Sequence, residues 1–268
     1  MAFLQSIHKA VMSEMLKRSL RARPASNQRN FTVPSCHRKY YEKNRLIACE
    51  QTPRYLFATR EILRAYPDAR IINMTRDPRD VLLSQRSKWK RRFLGGSSIP
   101  VGEAIRAWCN YHPWLVSRLW KSCVEYADAI DDRRFMSLRF EDLLAKPERE
   151  IKKICRFIGI EFESNMLKVP QMGSSSGDDS PNKKGIDTGR AEVWRIRRIR
   201  RSERLLCEWI CKDQMANLNY VDYLNDGRFS PSLILPLMIL PVKVVLALPL
   251  NVRRFPKLAH SLKRRFYD

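Results

Sequence analysis

Residues 69–84 read ARIINMTRDPRDVLLS, and this stretch decides the fold class. Its first part, 69–75, is short, rich in β-forming residues and bounded by turn signals, as is typical of a strand buried in a parallel sheet. Asp77 is a favourable N-cap residue, and Pro78 suits the first position of the helix that follows. The stretch therefore predicts a strand, a tight turn and a helix N-terminus in immediate succession.

The remaining chain alternates helical patterns with short apolar segments. Further strands are predicted at 46–49 (LIAC) and 135–140 (FMSLRF). Helices are predicted over roughly 53–66, 78–92, 101–128, 147–158 and 192–217. This alternation predicts an α/β protein whose parallel sheet is flanked by helices. Ligands of such sheets bind beyond the carboxyl ends of the strands, where Arg76 stands.

Composition narrows the class of protein further. The 268 residues include 44% hydrophobic and 29% charged side chains, which indicates a globular rather than a disordered chain. Lys and Arg number 51 against 28 Asp and Glu, a net charge of +23 that attracts polyanions such as nucleic acids, phosphate-rich cofactors, acidic glycans or anionic membranes. The four histidines lack metal-ligand spacing, so no metal is expected.

Arg76 and Ser84 form the most informative pair. Arg76 leaves the strand, and Ser84 lies about two helical turns into the next helix. A guanidinium and a hydroxyl so placed can hold one phosphate from two sides, with N–H donors of the helix N-terminus nearby. An ordinary charged β–α turn would contain the same residues, so the pair alone leaves both interpretations open.

The segment resembles the 3′-phosphate-binding motif of sulfotransferases that use 3′-phosphoadenosine 5′-phosphosulfate (PAPS). In that family Arg-(Asp/Asn)-Pro-x-(Asp/Glu) follows a strand, and a Ser stands eight residues after the Arg, as Ser84 does after Arg76. Other family motifs have counterparts in the same order, namely Glu50-Gln51-Thr52-Pro53, Tyr66-Pro67-Asp68-Ala69, Arg139-Phe140-Glu141-Asp142-Leu143 with Pro147, and Phe157-Ile158-Gly159.

The resemblance implies a P-loop-kinase-like sulfotransferase architecture and a nucleotide site. Arg76 and Ser84 would bind the 3′-phosphate, a basic loop of Lys183, Lys184 and Gly185 would close over it, and Trp194 would follow that loop. PAPS would be the co-substrate, and 3′,5′-ADP its product. The implied reaction is an in-line transfer of a sulfuryl group to a hydroxyl or amine of an acceptor, which requires positioning, charge neutralisation and a base.

The chain also departs from the family pattern. A Lys-x-Gly-Thr-like loop that holds the 5′-phosphosulfate is expected before residue 46, yet the first glycine is Gly95. Gln51 stands where relatives have Lys, Phe140 replaces Tyr, and no catalytic base can be assigned. We therefore expect a fold incomplete at its N-terminus, either truncated or divergent with lost activity. A catalytically inactive nucleotide-binding relative is the alternative.

The C-terminal region has a different composition. We predict a sulfotransferase-like domain over 1–225, with core motifs in 46–220, and an apolar and basic tail over 226–268. Residues 233–250 read LILPLMILPVKVVLALPL, in which three prolines and Lys243 oppose a regular transmembrane helix. Residues 228–268 carry eight basic side chains and one acidic one. This pattern favours a cytoplasmic protein that is peripheral on an anionic membrane; the alternative is packing across the domain's own surface.

Nucleic-acid binding is the remaining alternative. The net charge of +23 and the arginines of helix 192–217 would suit a polyanion. Charge runs on helices are usually solvated faces, however, and the sequence contains no recognisable nucleic-acid-binding module. We therefore expect no nucleic-acid partner.

Overall fold

The computed structural model describes residues 49, 52–90, 93–94, 97–168, 170–171, 180–197, 199–220 and 234–251. The chain divides into two compact units. The first comprises Met1–Thr75 and Ala129–Thr188, and the second comprises Arg76–Asp128 and Gly189–Asp268. The predicted strand at 46–49 lies outside the described residues, apart from Cys49.

In chain order the described helices and strands are α1 (Thr59–Ala65), β1 (Ile71–Thr75), α2 (Pro78–Ser87), β2 (Phe93–Leu94), β3 (Ser97–Ser98), α3 (Val101–Asn110), α4 (Pro113–Asp128), β4 (Phe135–Arg139), α5 (Phe140–Ala145), α6 (Pro147–Ile158), β5 (Pro170–Gln171), β6 (Ser180–Lys184), α7 (Val193–Ile196), α8 (Arg201–Asn217) and α9 (Ile234–Asn251). Four 3-10 helices accompany them, at Pro53–Ala58, Lys88–Lys90, Ser164–Leu167 and Thr188–Arg190.

The first unit contains a parallel pair of strands. β1 and β4 pair in register from Ile71 opposite Phe135 to Thr75 opposite Arg139. Parallel neighbours need a long crossover, and the connection between these two strands contains α2, α3 and α4. The prediction of an α/β fold with a parallel sheet is therefore confirmed.

Arg134 fixes the entry into β4. Its guanidinium donates hydrogen bonds to the carbonyl oxygens of Leu63 and Pro67, each at 2.9 Å, and to a carboxylate oxygen of Asp132 at 2.6 Å. The hydrogen bonds from Arg134 lower the pKa of Asp132 to about 2. These contacts tie the end of α1 to the residues that precede β4.

The core of the second unit lies around α4 and α8, which pack against each other. Trp120 and Val124 of α4 are buried with residues of α8 such as Leu206 and Met215. α2 and α7 contribute to the same cluster, and α9 packs against α3 within this unit. Leu82 and Leu83 of α2 therefore share one apolar core with α4 and α8.

Four predicted helices differ from the observed ones. The helix predicted over 53–66 is the 3-10 helix Pro53–Ala58 followed by α1. The stretch 101–128 is two helices, because Pro113 has no N–H to donate and favours an extended residue before it. The stretch 192–217 is also two helices, because Ile199 enters the apolar core and Arg200 is extended. The helix predicted over 78–92 ends at Ser87 and continues as the 3-10 helix.

The prolines of the tail do not prevent a helix. α9 spans Ile234–Asn251 with Pro241 and Pro249 inside it. Each proline removes one N–H donor, but the remaining bonds of the helix and its packing on α3 hold the segment together. The prolines are therefore compatible with a helix over this segment.

Candidate functional site

The turn between β1 and α2 has the predicted capping chemistry. The side chain of Asp77 accepts a hydrogen bond from the backbone N–H of Arg79 at 2.8 Å, and Pro78 is the first residue of α2. Asp77 thus satisfies one of the N–H groups that a helix leaves without a partner at its start. Arg76 is the one residue between the last residue of β1, Thr75, and the cap, Asp77.

Both the backbone and the side chain of Arg76 are fixed. Its carbonyl oxygen accepts a hydrogen bond from the indole N–H of Trp120 at 2.9 Å. Its Nη2 donates to Oδ2 of Asp80 at 3.0 Å and to the carbonyl oxygen of Arg190 at 2.7 Å. The side chain retains 28% of its exposure. A guanidinium that is oriented but still accessible is suited to binding an anion.

Asp80 connects this arginine to a second segment. Its buried carboxylate binds Arg76 through Oδ2, while Oδ1 accepts the backbone N–H of Trp194 at 2.8 Å. Burial raises the pKa of Asp80 and outweighs the charge of Arg76 and the bond from Trp194, which act in the opposite direction. One carboxylate therefore fastens both Arg76 and the start of α7 to α2.

Ser84 lies on the same face of α2 as Asp80, one turn further along, because residues four apart on a helix are neighbours. The guanidinium of Arg76 is bonded to Asp80 and so lies within about one helical turn of the position of Ser84. The arrangement is compatible with the predicted pair of phosphate ligands, and the assignment of these residues stays a prediction.

A buried charge cluster lies behind these residues. The guanidinium of Arg79 is 1% exposed and binds Asp77 at 2.8 Å and Glu208 at 3.3 Å. Arg204 donates to the same Glu208 oxygen at 2.6 Å. Burial acts to lower the pKa of Arg79, but the hydrogen bond and charge of Asp77, with those of Glu208, leave it above its ordinary value.

The ring of Trp194 is enclosed by arginines. The guanidinium carbons of Arg79, Arg204 and Arg195 lie 4.0, 4.4 and 4.6 Å from the centre of the ring. The side chain is 2% exposed, and its Nε1 has no hydrogen-bond partner among the described residues. Trp194 therefore fixes the path of its own segment by packing and by its backbone N–H.

The predicted basic loop lies in the first unit. Lys183 and Lys184 end β6, which pairs antiparallel with β5, so two residues of the predicted basic loop belong to a strand. Gly185 follows with a φ of 111°, a conformation that glycine adopts without a steric penalty. Lys184 is exposed, and the side chain of Lys183 lies outside the described part.

The sequence analysis missed Asp80, Arg79 and Glu208. Asp80 stands four residues after Arg76, a spacing that favours an ion pair on a helix, so its role could have been anticipated. Glu208 is separated from Arg79 by 129 positions, and no local pattern indicates that they meet.

The described ranges offer neither a group of metal ligands nor a membrane-spanning helix. The described ranges contain no group of His, Cys, Asp and Glu that could hold a metal ion. None of the helices in the described ranges combines the length and apolarity needed to cross a membrane.

The chain is similar to known proteins in both sequence and structure. The sequence model of the Sulfotransferase family matches residues 5–164. Omega-hydroxy-beta-dihydromenaquinone-9 sulfotransferase Stf3 of Mycobacterium tuberculosis is 24% identical over 147 residues, which cover 53% of this chain and 36% of the relative. Human sulfotransferase 2A1 is 27% identical over 146 residues, which cover 50% of this chain and 48% of the relative.

Among solved structures, the sulfotransferase domain from the curacin biosynthetic pathway aligns with a TM-score of 0.42 and 20% identity, covering 67% of this chain and 66% of that one. The chain spans about a third to a half of the length of the curated relatives that it matches. Because the family model covers more than half of the chain, the protein belongs to the Sulfotransferase family.

Proposed function

We propose that this chain binds PAPS through the nucleotide's 3′-phosphate, as part of a reaction that transfers the sulfuryl group to an acceptor. The supporting observation is the fixed guanidinium of Arg76 at the carboxyl end of β1, oriented by Asp80 and by the carbonyl oxygen of Arg190. The carboxyl ends of parallel strands are where α/β proteins bind ligands. Membership of the family supports the transfer reaction.

In this proposal Arg76 and Ser84 position the nucleotide and do not act on the reacting sulfur. The guanidinium supplies a charge-assisted hydrogen bond to the 3′-phosphate, and the Ser84 hydroxyl adds a second donor. The resemblance also assigns Lys183, Lys184 and Gly185 to the nucleotide, and that assignment stays a prediction. Trp194 would contribute through its backbone bond to Asp80, which holds Arg76 in place.

The acceptor is proposed as a hydroxyl or an amine. One relative is named an omega-hydroxy-beta-dihydromenaquinone-9 sulfotransferase. Because that name specifies a hydroxyl group, it favours a hydroxyl over an amine as the acceptor. In-line sulfuryl transfer needs no metal ion, so PAPS is the only cofactor in the proposal. The catalytic base stays unassigned, and the cytoplasmic location stays a prediction.

Calorimetric titration of 3′,5′-ADP into the full chain tests the site. A charge-assisted hydrogen bond contributes about 1.5–3 kcal/mol, so Arg76→Ala should weaken binding about tenfold or more. Ser84→Ala removes one neutral donor worth about 1 kcal/mol and should weaken binding about fivefold.

Arg86→Ala is a matched control for Arg76→Ala. Arg76 directly precedes the cap of α2, and Arg86 lies within α2. Their side chains are 28% and 24% exposed, and each pairs with a largely buried carboxylate, Asp80 for Arg76 and Glu203 for Arg86. The control should bind 3′,5′-ADP like the wild type. Unchanged binding by the Arg76 variant would refute the proposed site, as would equal losses in both variants.

A second experiment separates this proposal from nucleic-acid binding. The full chain should be retained on a resin that carries 3′,5′-ADP and should be eluted by free 3′,5′-ADP. A phosphate-specific site discriminates the nucleotide from a generic polyanion, so an excess of DNA should leave the protein bound. Elution by DNA at equal ionic strength would favour a general polyanion-binding surface instead.

A further inference from the structure

The distribution of polar and apolar residues on α9 is the reverse of that on a helix whose outer face is in water. Its less exposed positions recur every three or four residues, and two of them are polar, namely Lys243 and Asn251. Its exposed positions are almost all large and apolar, such as Met238, Val242 and Val245. A helix on the surface of a soluble protein normally buries its apolar stripe and exposes its polar one.

The polar residues of α9 bind the end of α3. Lys243 donates hydrogen bonds from Nζ to the carbonyl oxygens of Trp108 at 3.3 Å and Tyr111 at 2.8 Å. The carboxamides of Asn251 and Asn110 bind each other, at 2.8 Å in one direction and 3.3 Å in the other. Lys243 is the one charged residue of α9, and these bonds, with the ring of Trp108 at 4.7 Å from its Nζ, hold its charge against the end of α3.

Exposed apolar side chains also occur on α3. Val101, Ile105 and Trp108 recur at helical spacing along it, and α3 packs directly against α9. We call the following set the apolar face: Val101, Ile105, Trp108, Met238, Val242 and Val245. Each member is between 47% and 68% exposed. Large exposed apolar side chains in this number on two helices that pack together mark an interaction site rather than ordinary surface.

Positive charge lies beside α3 and also follows α9 in the sequence. The 3-10 helix Lys88–Lys90 packs against α3, and its two lysines are exposed. The sequence that directly follows α9 carries six basic residues and one acidic residue, Asp268. An apolar phase bordered by negative charge is the chemistry of an anionic lipid surface.

We propose that the apolar face formed by α3 and α9 lies in the interface of an anionic bilayer, with Lys88 and Lys90 at the lipid headgroups. Trp108 suits this depth, because an indole combines an apolar body with a polar N–H. The polar side of α9 would remain bound to α3. This inference goes beyond the proposed sulfuryl transfer and does not depend on it.

Co-sedimentation of the full chain with vesicles tests the inference. The wild type should bind phosphatidylcholine vesicles that contain about 30% phosphatidylserine, and binding should weaken as salt rises from about 0.1 M to about 1 M. The double variant Val242→Glu with Val245→Glu places two charges on the apolar face and should reduce partitioning at least about tenfold.

Trp209→Glu is the matched control, because Trp209 is 63% exposed on α8 of the same unit and lies outside the apolar face. It should bind vesicles like the wild type. Val101→Glu is a second test, since an acidic residue is favourable at the start of α3 and this variant should fold even if the double variant does not. It should reduce partitioning several-fold, and circular dichroism should match the wild type.

Two results would overturn the proposal. One is wild-type partitioning by the folded Val101→Glu variant, with or without a folded double variant. The other is a wild type that does not bind the vesicles. If that wild type sediments as a dimer, and if these substitutions dissociate the dimer, the apolar face binds a second copy of the chain instead.

Discussion

Among single residues, Arg79 shows how a charge is tolerated in the core. Its guanidinium is almost fully buried, and such burial is strongly unfavourable unless the charge is paired and hydrogen-bonded. Asp77 and Glu208 supply the paired carboxylates, and the ring of Trp194 supplies an aromatic face at 4.0 Å. The charge therefore depends on groups from three separate stretches of the chain.

Arg79→Met tests this dependence. Removing one partner from a buried ion pair leaves carboxylates without compensation, so the free energy of unfolding should fall by about 3–5 kcal/mol. Urea denaturation followed by circular dichroism measures it. Arg195→Met is the control. The side chain of Arg195 also lies over Trp194, but it is 39% exposed and pairs with an exposed Glu192. This variant should therefore lower the free energy of unfolding by less than about 1 kcal/mol. Comparable small losses in both would contradict the role of Arg79.

At the scale of elements, local backbone chemistry decides where helices end. α6 ends at Gly159, which has a φ of 78° and whose N–H bonds to the carbonyl oxygen of Arg156. Left-handed residues at this position are a common helix terminus and favour glycine, because other residues meet a steric penalty there. A side chain added at Gly159 would meet no atom within 4 Å, so only the backbone penalty would oppose it.

Two glycine substitutions separate backbone effects from packing effects. Gly159→Ala should lower the free energy of unfolding by about 1 kcal/mol, because alanine is strained in the left-handed conformation. Gly102→Ala in α3 also adds a methyl group with no atom within 4 Å, but there it should raise stability by about 0.5–1 kcal/mol. Thermal unfolding of both variants checks this. Shifts of the same sign would mean that the conformation of Gly159 is not the controlling factor.

At the scale of the whole molecule, the chain belongs to the Sulfotransferase family, but its sequence contains only some of the family's nucleotide-binding motifs. The residues that the family resemblance assigns to the 3′-phosphate are present, namely Arg76 and Ser84. A Lys-x-Gly-Thr-like segment for the 5′-phosphosulfate is not found before the first glycine, Gly95. Nucleotide binding and group transfer should therefore be separable in this chain.

We expect the purified 268-residue chain to bind 3′,5′-ADP but to transfer little sulfate. Removal of one preorganised donor to a reacting group typically lowers the rate about 10²–10³-fold, and the absent loop would supply several donors. Transfer from radiolabelled PAPS to a panel of hydroxyl and amine acceptors measures this. Human sulfotransferase 2A1, one of the similar proteins, is the positive control. Turnover by this chain comparable with the control would show the expectation to be wrong.

The local features of the fold follow from the sequence by itself. The strand at 71–75, the cap at Asp77 and the start of α2 at Pro78 depend only on neighbouring residues, and each is observed. The family could be predicted for a similar reason, because its motifs are short and their order along the chain is readable. The acceptor could not be predicted, because no local pattern encodes it.

The tertiary structure decided what depends on residues far apart in the chain. The partnership of Arg79 with Glu208 spans 129 positions, and that of Lys243 with the carbonyl oxygens of α3 spans more than 130. Lys243 interrupts the apolar run of the tail. Packing against α3 brings its Nζ to the carbonyl oxygens of Trp108 and Tyr111 and leaves the exposed positions of α9 apolar. The orientation of a helix about its own axis is set by the partners it packs against, and this information becomes available only when the chain has folded.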